Sequence, residues 1–409
     1  MTTLPNNPAS NNQRLVGWLS LAQLISWGSI FYTFALIMEP VERELGLSRA
    51  ESSLAFSLAL LVEGLLAYPV GRWIDRGHER IVMTCGSVLA ALCLALHAGV
   101  TSVLGFYAVW AGLGAAMAAV LYAPAFAVVT RRFPQDFRRS IITLTFLGGL
   151  ASTVFIPLTA WLMAAWGWRQ ALLSLALLHL LVCAPLHARL LRGAPQPLPP
   201  DARHDSAHPA SVRRLVLSAP FLLIGLFMVL LMAVTVAIPA HMVSLLRENG
   251  MPEAWVIGIP ASIGVIQVVG RLLLYYFEHH FDLHTANRLI PCLVPLGLAA
   301  LLVAPSLPPE QVLWAVLVFV ALYGMGNGML TIVKGTAIAQ YVNREHVATL
   351  NGALGLPTAL ARASAPLLLG LLWTPQGGYT LGLWLLLALS LLGVAALMLA
   401  QRIALTSTN

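Results

Sequence analysis

Three ionisable side chains stand inside apolar runs that are long enough to cross a bilayer: Glu63, Arg271 and Arg362. A charge at the bilayer centre costs about 2.5–3.5 kcal/mol on insertion scales, so each of them needs a task or a partner. Two guanidiniums sharing a cavity repel one another until an anion enters, and a carboxylate accepts two parallel N–H bonds from either. Arg271 and Arg362 therefore point to an anionic substrate. The plainer alternative has Arg271 held by backbone carbonyls and Arg362 paired with Glu63. Glu63, a carboxyl in a dry bundle, is the candidate proton carrier, and a nearby arginine would make it a structural or gating ion pair instead. Tyr32, Tyr122, Gln267, Tyr323 and Asn327 are the neutral polar groups placed to line a cavity, although each could equally serve an interhelical hydrogen bond worth ~0.6 kcal/mol. His97 and His179 read as hydrogen-bonded packing residues, and His241 as facing an outer mouth.

Catalytic and metal chemistry find no such foothold. The sequence has no G-x-S-x-G elbow and no H-E-x-x-H helix. Its only lysine, Lys334, follows Met329-Leu330-Thr331-Ile332-Val333 rather than the glycine of a phosphate-binding loop. Cys85, Cys93, Cys183 and Cys292 lie in apolar runs without a C-x-x-C pair, so they read as small buried hydrophobes and imply neither a disulfide framework nor a metal. No catalytic residue, cofactor or metal is expected.

The elements that must position these groups follow from composition. Of 409 residues, 59% are hydrophobic and 10% charged, and the mean hydropathy is +0.82. A soluble chain carries about 25% charged residues, so this one cannot build a water-exposed surface over its whole length. Apolar runs of about 20 residues suffice to span a bilayer, and twelve occur, six within 15–188 and six within 215–401. The predicted fold is an all-α membrane protein of two related six-helix bundles. A Pro-rich linker at 189–214 is expected to be extended, with tails at 1–14 and 402–409, the first disordered as far as Gln13. No cleavable signal peptide is evident.

The halves repeat. In the second run Glu63, Ala67, Gly71 and Asp75 recur every four residues, and the eighth answers with Gln267, Arg271, Tyr275 and His279. Gly112 and Gly114 in the fourth are matched by Gly324, Gly326 and Gly328 in the tenth. Basic residues crowd alternate connections: Arg72, Arg76, Arg80, Arg131, Arg132, Arg138 and Arg139, five more across the linker, then Arg288, Lys334 and Arg344. The opposite side holds Arg43, Arg49, Arg169 and Arg247. The positive-inside rule then places both termini in the cytoplasm. The formal charge of +7 is explained by this bias and not by nucleic acid, for which no basic, aromatic-interleaved stripe exists.

After the second run comes Gly71-Arg72-Trp73-Ile74-Asp75-Arg76-Gly77-His78-Glu79-Arg80. It resembles the loop signature G-x-x-x-D-R-x-G-x-[RK] of the major facilitator superfamily, matching at Gly71, Asp75, Arg76 and Arg80. The second glycine is replaced by His78 with Gly77 beside it, which shifts the turn by a residue. In the second half the signature has decayed, with Tyr275 and His279-His280 in its place. Gly71 is expected to let two helices approach closely, and Asp75 to meet the positive end of the eleventh helix near 347–351, forming a gate. Trp27-Gly28, Phe31-Tyr32, Gly167-Trp168-Arg169 and Gly270-Arg271 resemble the monocarboxylate transporter and oxalate/formate exchanger branch. That resemblance implies substrate contact at Arg271 and Arg362. It also implies a departure, because Leu36 stands where many monocarboxylate transporters carry a lysine, so a proton mechanism through that lysine does not transfer.

The reading is a secondary active transporter of a bacterial inner membrane that moves a small organic anion, a monocarboxylate in the first instance, by alternating access. Protons are the candidate coupling ion, the lipid bilayer the surrounding partner, and a functional monomer the expected state. A drug exporter of the same fold, with an apolar cavity and Glu63 alone, is the rival in the same class. A polytopic enzyme is the rival in another.

Overall fold

A computed structural model describes residues 8–135, 137–194, 209–277, 283–343 and 346–406. Ten helices among them are long and apolar enough to cross a membrane, and two, Arg49–Ala98 and Arg139–Leu190, run to 50 and 52 residues. At 1.5 Å per residue such lengths reach ~75 Å, more than twice a hydrocarbon core of ~30 Å. Each contains a glycine in the left-handed region that divides it, Gly77 with φ 89° and Gly167 with φ 82°. A residue with a Cβ is strained there. The helices, numbered in chain order, are α1 (8–45), α2 Arg49–Trp73, α3 Glu79–Ala98, α4 Val103–Arg132, α5 (137–166) and α6 (168–190). They continue with α7 Ala219–Glu248, α8 Glu253–Phe277, α9 Leu283–Val303, α10 Pro309–Tyr341, α11 Val347–Leu371 and α12 Thr380–Thr406. No β-strand occurs among the described residues.

Local chemistry sets several helix starts. Before α2, the Ser48 hydroxyl accepts from the Glu51 amide at 3.3 Å while the Glu51 carboxylate accepts from the Ser48 amide at 2.8 Å, a reciprocal capping box. Ser218 caps α7 by accepting from the Phe221 amide. Two expectations are corrected at proline starts. The first helix begins at Pro8 rather than after Gln13, and the distal linker is helical over Pro209–Val216. Proline fits the first helical position because its fixed φ suits a helix and its missing N–H is not needed there. Residues 1–7, the linker prolines Pro195, Pro197, Pro199 and Pro200, the His279-His280 pair and Arg344 lie outside the described residues.

The chain forms two compact units. One comprises 1–47 with 58–200, the other 48–57 with 201–409, so the first turns of α2 belong to the second unit. Within the second, α9 packs on α10 and α12, α8 on α10, and α7 on α11 and α12. Large apolar side chains project outward along most helices, including Leu65, Tyr68, Leu104, Leu181, Trp314 and Trp384. Hydroxyls and amides turn inward, as Ser20, Gln23, Ser26, Ser29 and Thr33 do on α1. Apolar outside and polar inside is what a lipid solvent selects.

Candidate functional site

In the second unit α8 and α10 meet backbone to backbone. A Cβ on Gly328 would lie 2.7 and 2.9 Å from the Cα and carbonyl carbon of Gln267, and one on Gly324 would lie 2.8 Å from the Ile266 side chain. A Cβ on Gly270 of α8 would likewise lie 3.1 Å from the Met325 Cα of α10. The first unit repeats the device: a Cβ on Gly114 of α4 would fall 2.8 Å from both Cα and carbonyl carbon of Ala59 on α2.

This contact organises the polar groups of α8. Gln267 and Arg271, one turn apart, are both half-buried, and the Arg271 Nε donates to the Gly328 carbonyl at 3.2 Å. The Thr331 hydroxyl donates to the same carbonyl at 2.8 Å. Asn327 precedes Gly328 and is half-buried. The structure thus brings Gln267 and Arg271 of α8 against Gly328, the residue that follows Asn327 on α10. Tyr323, a turn earlier, takes a different place: it is fully buried, stacks on Phe319 with ring centroids 5.3 Å apart, and donates to the Thr235 carbonyl at 3.4 Å.

Arg362 is half-buried on α11, and its charge acts on Lys334 of α10. This corrects the placement of Lys334 among loop cations. The helix runs on to Tyr341, so the chain's only lysine sits inside it, half-buried.

In the first unit, Tyr32 and Tyr122 join one aromatic cluster. Trp27 lies 5.0 Å from Phe31 and 4.9 Å from Tyr122, Phe31 meets Tyr32 edge-on at 5.3 Å, and Tyr122 stacks on Phe126 at 5.2 Å. The cluster stands on a π-helical stretch of α1, Trp27–Tyr32, where the Thr33 hydroxyl donates to the Gly28 carbonyl five residues back. Such widened turns expose backbone groups and recur at functional sites. Phe155 packs onto the Gly28 backbone and Tyr122 Oη lies 2.5 Å from where a Cβ of Gly148 would stand, so both glycines make room for rings. Glu63 is half-buried on α2 in this unit.

The signature loop carries two surprises. Gly71 faces open space, so no close helix approach requires it, and the expectation of one is corrected. The glycine that the loop needs is Gly77, whose left-handed φ makes the turn one residue early. Asp75 and Arg76 are exposed, while Arg80 Nε donates to the Ala188 carbonyl at 2.7 Å. Glu79, fully buried, accepts from Arg132 at 2.5 Å and pairs with Arg131 at 3.7 Å. Two arginines that sequence reasoning left in a solvated loop are therefore a buried ion network. Arg169, also placed in a loop, pairs with Glu44, donates to the carbonyls of Ala98 and Val100, and lies 4.4 Å over Trp168. The Gly167-Trp168-Arg169 run is thus a turn, a platform and a clamp.

A second buried network was not visible in sequence. Arg49, 8% exposed at the start of α2, donates to Tyr379 Oη at 2.6 Å, pairs with Glu248 at 3.8 Å and lies 5.1 Å over Trp373. Trp373 Nε1 donates to Glu248 at 2.9 Å. His241 is fully buried rather than at a mouth, 3.0 Å from Tyr379 Oη and 2.9 Å from the Pro366 carbonyl. Burial pushes the Tyr379 phenol above its ordinary value, and the Arg49 charge opposes that rise. His179 bonds Ser29 at 2.8 Å as expected of a packing histidine. His97 lies among Phe106, Trp110 and Trp168, and neither ring nitrogen is hydrogen-bonded among the described residues. Cys85 is exposed, against the expectation of burial for all four thiols.

Comparison with known proteins agrees with this architecture. Among curated relatives, monocarboxylate transporter 13 of Rattus norvegicus is 28% identical over 320 residues, which cover 76% of this chain and 69% of that protein. Monocarboxylate transporter 11 of Mus musculus is 30% identical over 194 residues, 46% of this chain and 42% of that protein. In fold, the chain is similar to a bacterial homologue of the human lysosomal transporter Spinster in an inward-facing, unoccupied conformation, with a TM-score of 0.74, 16% identity and 98% of both chains covered. It is similar also to a D-xylose–proton symporter, with a TM-score of 0.68, 15% identity, and 93% and 96% covered. These relatives are transporters and not enzymes. The model of the Major Facilitator Superfamily matches residues 19–332, and the chain belongs to that family of membrane transporters.

Proposed function

We propose that this transporter moves a small organic anion bearing a carboxylate across a bacterial inner membrane by alternating access. The observation that carries the reading is the set of cations on three helices of one unit, Arg271 on α8, Lys334 on α10 and Arg362 on α11, within spans that are otherwise apolar. Arg271, held at Nε by a backbone carbonyl, is oriented by the fold, which suits a guanidinium that receives a carboxylate edge-on. Gln267 and Asn327 stand beside it to accept or donate to the rest of the ligand. Tyr32 and Tyr122, in the aromatic cluster of the first unit, are further candidates for substrate contact. The names of the curated relatives make a monocarboxylate the first substrate to test.

Glu63 is the coupling candidate. A proton carried with the anion makes the step electroneutral, whereas one uncompensated charge crossing 100 mV exchanges about 2.3 kcal/mol with the field. The basic bias of alternate connections supports cytoplasmic termini. Asp75, with Arg76 and Arg80, is the proposed gate element. Purified protein reconstituted in proteoliposomes, given labelled lactate, pyruvate and related carboxylates under an imposed pH gradient, tests the reading. Arg271→Gln and Arg362→Gln should each lower uptake at least tenfold, and unchanged uptake in both removes the anion assignment.

A further inference from the structure

Where α2 gives way to α3 and α6 comes to its end, the first unit holds a cavity of about 560 Å³ that plays no part in the site above. Ligand clefts run from about 300 to 1,000 Å³. Gly77, His78, Arg80 and Ile81 line it from the start of α3, and Leu191 and Arg192 from the end of α6. Two guanidiniums and an imidazole thus share one recess, and no acidic residue lines it among the described residues. Other arginines of this unit have carboxylates of their own: Glu79 takes Arg131 and Arg132, and Glu44 takes Arg169. Arg80 and Arg192 form no ion pair among the described residues. Arg80 Nε donates to the Ala188 carbonyl at 2.7 Å, which ties α3 to α6 and orients the guanidinium. Its two terminal nitrogens are left to present parallel N–H groups, a fork that matches two oxygens of one phosphate.

The surroundings indicate which phosphate. Ile81, at the lip of the cavity, starts a row of exposed side chains on α3 with Cys85, Val88, Leu92 and Leu96, spaced i, i+4, i+7, i+11 and i+15 along one face. Leu173, Leu177 and Leu181 form a similar exposed row on α6. In a membrane-spanning chain such faces meet acyl chains. One turn before Gly77, at the end of α2, Trp73 is exposed and Arg72 lies 5.8 Å over the exposed Tyr68 ring. Tryptophan and tyrosine in that setting mark the headgroup level of a bilayer. The recess therefore joins a cationic pocket at headgroup depth to an apolar track running into the membrane.

We infer that this cavity binds the phosphate of an anionic phospholipid, with Arg80 as the forked ligand, Arg192 as the second charge and Ile81 at the head of the acyl-chain track. Two arginines without carboxylates favour a lipid whose phosphate is not already balanced by an ammonium of its own. The site stands whatever substrate the transporter carries.

The test uses the purified full-length protein in detergent, titrated with phosphatidylglycerol or with phosphatidylcholine of the same acyl chains, and reads the unfolding temperature at each concentration. Phosphatidylglycerol should protect at concentrations at least tenfold lower than phosphatidylcholine. Arg80→Gln and Arg192→Gln should each narrow that gap threefold or more, and the two together should bring it near one. Arg402→Gln, the same loss of charge at an exposed residue of the second unit, should leave it unchanged. Equal protection of the unaltered protein by the two lipids would overturn the inference, as would a gap that survives the double change or that Arg402→Gln erodes as much. Inorganic phosphate and glycerol phosphate separate the sources: protection by either at the concentrations where phosphatidylglycerol acts would mean a soluble phosphate and overturn the lipid assignment. Should Arg80→Gln fail to fold for want of its bond to Ala188, Arg192→Gln decides alone, because its side chain makes no hydrogen bond among the described residues, and a gap it does not move overturns the inference.

Discussion

Replacing Gly328 by alanine puts the α8–α10 contact to a direct trial. The added methyl would sit 2.7 Å from the Gln267 Cα and 2.9 Å from its carbonyl carbon. Carbon atoms settle at about 3.5–4.0 Å, so the helices must part by roughly 1 Å. Backbone on both sides leaves no flexible side chain to yield. Overpacking of this kind costs about 1–3 kcal/mol. The same movement stretches the 3.2 Å bond from Arg271 Nε to the Gly328 carbonyl beyond hydrogen-bond range, at about 1.5–3 kcal/mol for a charged donor. Gly335→Ala on the same helix is the control, because a Cβ there meets open space. It should be neutral or gain up to about 1 kcal/mol from helix propensity. Thermal unfolding of the detergent-purified proteins at one scan rate reads the difference. With roughly 2–4 °C per kcal/mol for domains of 150–250 residues, Gly328→Ala should unfold several degrees below Gly335→Ala. Midpoints within a degree of each other would refute the close contact and, with it, the placement of Arg271.

Two further outcomes follow from the buried ion networks. Arg49→Ala removes the bond to Tyr379 and the stack on Trp373, and should lower stability by about 1.5–3 kcal/mol in denaturant or heat. Arg49→Lys should recover only part, since an ammonium keeps the charge but not the planar stack. Glu79→Gln strands two arginines beside a fully buried position and should cost about 3–5 kcal/mol. Adding Arg132→Gln should cost less than the sum of the single changes, and strict additivity would show that the pair is not coupled.

How far the sequence discloses such features depends on the range of the interaction. Twelve spans and the half-chain repeat could be read because hydropathy and glycine spacing are local signals. Arg271, Arg362 and Glu63 were conspicuous as charges in apolar runs. Gly77 was legible as the turn because a glycine stood one place from where the signature wants it, and only glycine takes φ 89° without strain. Arg49 and Glu79 were not legible as buried, nor Arg131, Arg132 and Arg169 as paired. Each lies at a helix end, where an exposed loop and a closed ion pair look alike until the partner from a distant segment is placed. Lys334 was misplaced for a related reason. The helix outlasts its apolar run by about a turn and a half, to Tyr341, so a cation at the apparent margin lies inside. Gly71 shows the converse error, a signature residue credited with a packing task that its open surroundings do not require.

The repeat and its divergence follow from one constraint. In each unit the helix pair, α2 with α4 and α8 with α10, meets at a glycine opposed to backbone, and a single methyl on either glycine would force the pair apart. That contact therefore resists change in both units alike. The units differ at aligned positions of α2 and α8: Glu63 and Ala67 on one, Gln267 and Arg271 on the other. A duplicated scaffold can in this way hold its backbone geometry fixed while its side chains specialise. The first unit carries the carboxyl and the aromatic cluster around Trp27, and the second carries the cations. On the proposed reading, anion recognition and coupling thus reside on separate units, each borne by the same pair of helices at nearly the same step.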